Sequence, residues 1–223
     1  MAQGDRSIKK ISISHSASFK QLGILVLDGS GSMDEMTVGK ISKAESVSDA
    51  TKDLFTRFKS SRIKNNFSFA IVDYDDHAKV VMEPTEVKDI DEFADYNPKA
   101  GLGGATFISE GLKEAKKMAE KFMAQATPGG LSYSVMVLIM TDGVDMTQPE
   151  TISEAKQLRE MPGVKVAGCF FETLDADPKA MQECCDYVKG LCSEERLFSK
   201  VADAEDLRKF FIASMSNVAP SML

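Results

Sequence analysis

The chain has 223 residues, a hydrophobic fraction of 43% and a formal net charge of −7. That length suits one α/β domain with a sizeable core. The acidic balance, without a Lys/Arg cluster, speaks against a nucleic-acid partner and disfavours attachment to anionic membranes. The longest apolar run, Val135–Met140, is far too short to span a bilayer. The polar, basic stretch Met1–Lys20 lacks the apolar core of a signal peptide, so the expected compartment is the cytoplasm. Cys169, Cys184, Cys185 and Cys192 have no CxxC spacing and no His nearby. They are expected as reduced structural thiols rather than as a zinc site.

In chain order, Ile11 and Ile13 alternate with serines, which fits either an added edge strand or an unpaired arm over residues 1–20. Leu22–Leu27 is continuously apolar, as a parallel strand covered on both faces would be. Ala44, Val47, Leu54, Phe55 and Phe58 recur at helical spacing within Ile41–Lys59. Phe67–Asp73 reads as a second strand, residues 74–77 as a turn, and Lys79–Met82 as a short antiparallel edge strand. Val87–Gly104 is expected as surface loop with one short helix. A helix with the stripe Ile108, Leu112, Ala115, Ala119, Phe122 follows and stops at Thr127-Pro128-Gly129-Gly130. Tyr133–Met140 is a central buried strand, and Thr147-Gln148-Pro149-Glu150 resembles a capping box. Val164–Phe171 is a strand, Asp177-Pro178 opens a helix, Arg196–Ser199 is a short last strand and Asp203–Ser216 a last helix. The expected division is an arm or edge strand at 1–20, one domain at 21–217 and a tail at 218–223. The expected fold class is α/β: a doubly wound, mostly parallel sheet with helices on both faces and one antiparallel edge strand.

The chemistry concentrates at Asp28-Gly29-Ser30-Gly31-Ser32, which leaves the end of the first strand. Gly103-Gly104-Ala105-Thr106 and Thr141-Asp142-Gly143 are the two segments able to meet it, if the strands of Asp28 and Asp142 are neighbours where the strand order reverses. Asp28, Ser30, Ser32, Thr106 and Asp142 then supply two carboxylates and three hydroxyls. An all-oxygen set of this kind suits Mg²⁺ or Mn²⁺. Where neutral hydroxyls dominate the first shell, the ion keeps positive charge and draws in an outside carboxylate. Asp34, Glu35 and Asp145, close to these positions, fit either acceptors that support the ligands and tune the field or solvated loop charges, and the second reading is favoured. Met33 and Met36 are candidates for a contact surface, and His77 for a surface residue.

These three segments resemble the von Willebrand factor type A domain, also called the integrin I-type domain. Its metal-ion-dependent adhesion site has the pattern Asp-x-Ser-x-Ser, then Thr, then Asp. The resemblance spans roughly Gln21 to Met215. It implies a Rossmann-like fold with one antiparallel edge strand and no catalytic role. It also implies that Ser30, Ser32 and Thr106 ligate more directly while Asp28 and Asp142 act partly through water, and that a protein partner supplies an acidic ligand. A displacement of the last helix between affinity states is a further implication. The Asp28–Met33 run resembles short bacterial cytosolic members, associated with tellurite resistance and stress response or with ATPase-assisted assembly.

Two other roles are weighed: a secreted or surface adhesion domain, and a phosphoryl-transfer enzyme with Asp28 as nucleophile. In phosphoryl-transfer enzymes of the haloacid dehalogenase type a second acid follows two residues later, and here that position is Ser30. A serine hydrolase lacks the G-x-S-x-G frame, and a dinucleotide site lacks its third glycine.

Overall fold

β1 (Phe19–Asp28) runs through the middle of a six-stranded sheet, and every other element is placed relative to it. The computed structural model describes residues 19–128, 130–174 and 176–216. Within them lie α1 (Lys43–Lys59), β2 (Phe67–Tyr74), β3 (Ala78–Glu86), α2 (Ile108–Met123), β4 (Ser132–Thr141), α3 (Gln148–Glu160), β5 (Val164–Phe171), α4 (Pro178–Leu191), β6 (Phe198–Val201) and α5 (Ala204–Ser216). The sheet order is β3-β2-β1-β4-β5-β6. All neighbouring pairs are parallel except β2 and β3. Of the arm expected at residues 1–20, Phe19 and Lys20 belong to β1, and the rest, like the tail at 218–223, lies outside the described residues.

The apolar run of β1 divides its side chains between two cores. Leu25 and Leu27 join Phe55 of α1 and Phe211 of α5 on one face, while Leu22, Ile24 and Val26 join Leu112 of α2 and Leu158 of α3 on the other. Burial on both faces is why these strands are continuously apolar rather than alternating. α4 covers the end of the second face, with Leu191 in that core and Val188 against Phe170.

Some elements differ from the sequence expectation. β3 runs to Glu86 rather than stopping at Met82, because antiparallel pairing with β2 continues to Ser68↔Glu86 past two register shifts. Pro84 is tolerated there because the strand is an edge. The Val87–Gly104 segment holds a single turn of 3-10 helix, Val87–Asp89. Thr147 does precede α3, but no capping box forms: its hydroxyl bonds the Asp145 carboxylate instead. The box that does form is Ser42–Glu45 at the start of α1. Asp177 caps α4 as expected, accepting from the Ala180 N–H at 3.0 Å.

The chain leaves β1, builds outward through β2 and β3, and returns to the other side of β1 as β4. The order therefore reverses between β1 and β4. Leu27 lies opposite Met140 in register, so Asp28 and Asp142 emerge at the same end of adjacent strands. Crevices outside the carboxyl ends of strands at such a reversal are where open α/β sheets bind ligands.

Candidate metal centre

Asp28 is the last residue of β1 and is fully buried. Its Oδ1 accepts from the Ser30 backbone N–H at 2.8 Å, and its Oδ2 from the Thr141 hydroxyl at 2.7 Å. Burial first, and then the charge of Asp142, push its carboxyl up to about 6, against the hydrogen bonds from Ser30 and Thr141. Two buried carboxylates thus face each other at a cost, which a cation between them would remove.

The Ser30–Ser32 segment turns sharply because residues 31–34 form a 3-10 turn. Ser30 Oγ and Ser32 Oγ come within 3.2 Å of each other, and Ser32 Oγ donates to Asp142 Oδ1 at 2.7 Å. The turn is seated by Gly29, whose N–H donates to Tyr74 C=O at 2.7 Å, and by Gly31, whose N–H donates to Gly104 C=O at 3.1 Å. A Cβ at Gly29 would lie 2.5 Å from the Pro98 carbonyl oxygen, so the close approach of these two loops requires glycine there.

Thr106 is buried two residues before α2 and does not cap it; Phe107 holds the cap position. Its placement comes from its neighbours. The Gly103 and Gly104 N–H groups each donate to Asp75 Oδ2 at 3.0 Å, the Phe107 N–H donates to Asp75 C=O, and the Thr106 C=O accepts from Met146 N–H, both at 2.9 Å. Burial works to raise the Asp75 carboxyl, but the N–H groups of Gly104, His77 and Gly103 outweigh it and hold it near 2. A Cβ added at Gly143 would meet Thr106 Oγ1 at 3.3 Å and Ser32 Oγ at 3.8 Å, so both hydroxyls border Gly143. The five residues expected from the sequence therefore converge at one strand-end crevice.

Lys43, at the first position of α1, was not anticipated. A cation there opposes the helix dipole, and this is the sequence signal that it has another partner. Its side chain is 1% exposed, and its ammonium donates at 2.7 Å to each of Asp142 Oδ2, Glu35 Oε2 and Thr173 Oγ1. Glu35, whose side chain is half exposed, is consequently paired with the buried Lys43 rather than free, while Asp34 pairs with Lys99 at 2.8 Å.

Asp145 corrects the expectation of a solvated charge. It is buried, and accepts from the N–H groups of Ile108 and Thr147, the Thr147 hydroxyl and, at 2.5 Å, the Tyr187 hydroxyl. It thereby anchors the β4–α3 loop to α2 and α4. Met33 is fully buried and belongs to the core, whereas Met36 is exposed beside the crevice. His77 is on the surface, as expected.

The site offers only oxygens and one ammonium, a donor set suited to a hard divalent cation and lacking the sulfur and imidazole of a typical zinc site. A second acidic group, Asp75, Asp76 and His77, brings its ligand atoms within 4.8 Å of one another. Asp75 already spends both oxygens on backbone N–H groups, and His77 Nδ1 lies 2.7 Å from Asp76 Oδ1. That group therefore braces the glycine loop. A groove of about 300 Å³ lined by Arg57, Phe58 and Ile212 carries none of the site residues.

The fold is similar to several solved structures. One is the pilus adhesin SpaC from Lactobacillus rhamnosus GG, with 14% identity over 89% of this chain and 30% of that one, and a TM-score of 0.72. Another is a von Willebrand factor type A protein from Catenulispora acidiphila, with 18% identity over 88% of this chain and 43% of that one, and a TM-score of 0.63. A third is proximal thread matrix protein 1 from the mussel byssus, described with zinc in its adhesion-site motif: 19% identity, 90% and 46% of the two chains, TM-score 0.58. The chain spans less than half the length of each. No curated protein sequence matches it. Among the described residues no helix is long and apolar enough to cross a membrane. The family model for the von Willebrand factor type A domain matches residues 24–212, and the chain belongs to that family.

Proposed function

We propose that this domain binds a partner protein through Mg²⁺ or Mn²⁺ held at the end of β1 and β4, with a carboxylate of the partner completing the ion's shell. Ser30, Ser32 and Thr106 are the direct ligands in this reading, and Asp28 and Asp142 act partly through water. The observation that carries it is the placement of the Ser30 and Ser32 hydroxyls, 3.2 Å apart, between two buried carboxylates. When bound, the ion supplies an electrophilic centre for an outside carboxylate. The chain's own residues hold the hydroxyls in place and exclude water from behind them.

The reading is one of binding, not catalysis. Asp28 has no exposed surface and lies behind the Ser30 and Thr141 groups that bond its two oxygens, which keeps a substrate from reaching it for nucleophilic attack. The four cysteines are unpaired, which fits a reducing compartment and the cytosolic role resembling bacterial stress-response or ATPase-assisted assembly systems. The similarity to a pilus adhesin favours a second setting, adhesion at a cell surface, served by the same site.

The test is a titration of free Mn²⁺ by electron paramagnetic resonance, with circular dichroism to verify folding. One bound ion per wild-type chain and none for folded Asp28→Ala supports the assignment. Equal binding by both proteins refutes it.

A further inference from the structure

Lys43 does more than neutralise a carboxylate. Its three acceptors sit on three different loops: Glu35 between β1 and α1, Asp142 between β4 and α3, and Thr173 between β5 and α4. Each loop exposes a large apolar residue within two positions of the acceptor: Met36, Val144 and Leu174. Two more follow on the same loops, Val38 and Met146, and Met146 donates its N–H to the Thr106 carbonyl. These five side chains are between 51% and 66% exposed. They account for half of the exposed large hydrophobic residues among those described, and all lie on the three loops that Lys43 ties together. Scattered apolar residues on a surface need no explanation, but a concentration around a polar site marks an interaction face.

The charges at the crevice mouth suit the same kind of partner. Asp34 is countered by Lys99, and Glu35 and Asp142 share the Lys43 ammonium. Asp28, buried beneath them, bonds the Ser30 N–H and the Thr141 hydroxyl rather than a cation. A divalent ion held by Ser30, Ser32 and Thr106 would add positive charge among these apolar residues.

Resting on the metal-site reading above, we infer that the occupant is a segment of a partner protein in which a Glu or Asp is flanked by large apolar side chains, with the carboxylate on the ion and the flanking residues on Met36, Val144 and Leu174. The loop tie through Lys43 holds the three apolar residues and the ion site in one fixed arrangement. Ordering these loops in advance lowers the entropy cost of binding.

The experiment compares three fluorescent, C-terminally amidated peptides that differ only at the centre: Gly-Glu-Gly, Leu-Glu-Leu and Leu-Gln-Leu. Binding is measured by anisotropy in Mg²⁺ and in EDTA, with wild type and with the triple variant Met36→Ser, Val144→Ser, Leu174→Ser. These positions hold no core contact, so the variant is expected to fold, and its Mn²⁺ titration should match wild type. The Leu-Glu-Leu peptide should bind wild type about tenfold or more tightly than Gly-Glu-Gly. Leu-Gln-Leu should not bind, EDTA should abolish binding, and the triple variant should lose the preference. Equal affinity of wild type for both Glu peptides, or a preference that survives in the triple variant, overturns this inference alone. No Mg²⁺-dependent binding of either Glu peptide overturns the metal-site reading with it. Concentration-dependent dimerisation in Mg²⁺ that blocks both peptides assigns the face to a second copy of the chain and overturns the inference.

Discussion

The Lys43 ammonium lies 2.7 Å from Asp142 Oδ2, with the two side chains 1% and 0% exposed. A buried pair of this kind contributes little over an apolar pair, but removing one partner strands the other's charge. Lys43→Met should therefore destabilise the metal-free protein by about 3 kcal/mol in urea unfolding. A divalent cation can take over the compensation of Asp142. The variant should recover more stability on adding saturating Mg²⁺ than wild type gains. Equal Mg²⁺ gains in the two proteins would contradict this coupling.

Burial, and then the charge of Asp142, both work against the ionised Asp28. In EDTA at pH 8, Asp28→Asn should be at least as stable as wild type, because it removes a buried charge, keeps an oxygen for the Ser30 N–H and lets its NH2 donate to the Thr141 hydroxyl, which can turn to accept. Mg²⁺ should raise the melting temperature of wild type and not of the variant. Thermal melts with and without Mg²⁺ check both statements.

Asp73 carries a separate pH signature. It is buried on β2, its Oδ1 has no hydrogen-bond partner, and burial pushes its carboxyl up to about 8 despite the opposing charge of Lys79. Between about pH 4 and pH 8 the folded state keeps a proton that the unfolded chain has released, so this residue makes stability fall as pH rises through that window. Asp73→Asn removes the dependence and should stabilise the protein at pH 8 by on the order of 2 kcal/mol, with little effect at pH 4. Denaturant midpoints at the two pH values measure it; an identical pH slope in both proteins would count against it.

Asp75 acts on the site through the glycine loop. Replacing it with Ala frees the Gly103 and Gly104 N–H groups that set the position of Thr106. Mn²⁺ affinity should fall about tenfold while the fold is kept. Amide exchange at Gly103 and Gly104 should speed up at the same time, and unchanged exchange would show that Asp75 does not hold the loop.

The central strands were legible because burial on both faces leaves an unbroken apolar run, as in Leu22–Leu27. The convergence of Asp28, Ser30, Ser32, Thr106 and Asp142 was legible because each lies at or just past an element end that the pattern locates. Lys43 was not, since two of its three acceptors lie 99 and 130 residues away and no local pattern links them. Asp145 was read as a solvated charge for the same reason: Tyr187, which buries it, is 42 residues on. The false capping box at Thr147 came from a real signal that a nearer acceptor, Asp145, captured. β3 was underestimated because an edge strand's length is set by its partner's register rather than by its own apolar content.

The metal site is tested most directly by anomalous diffraction from crystals grown with Mn²⁺. One strong peak is expected among Ser30 Oγ, Ser32 Oγ and Thr106 Oγ1, in front of Asp28 and Asp142. A peak at Asp75, Asp76 and His77 with none at the strand ends, or no peak at either place, would contradict it.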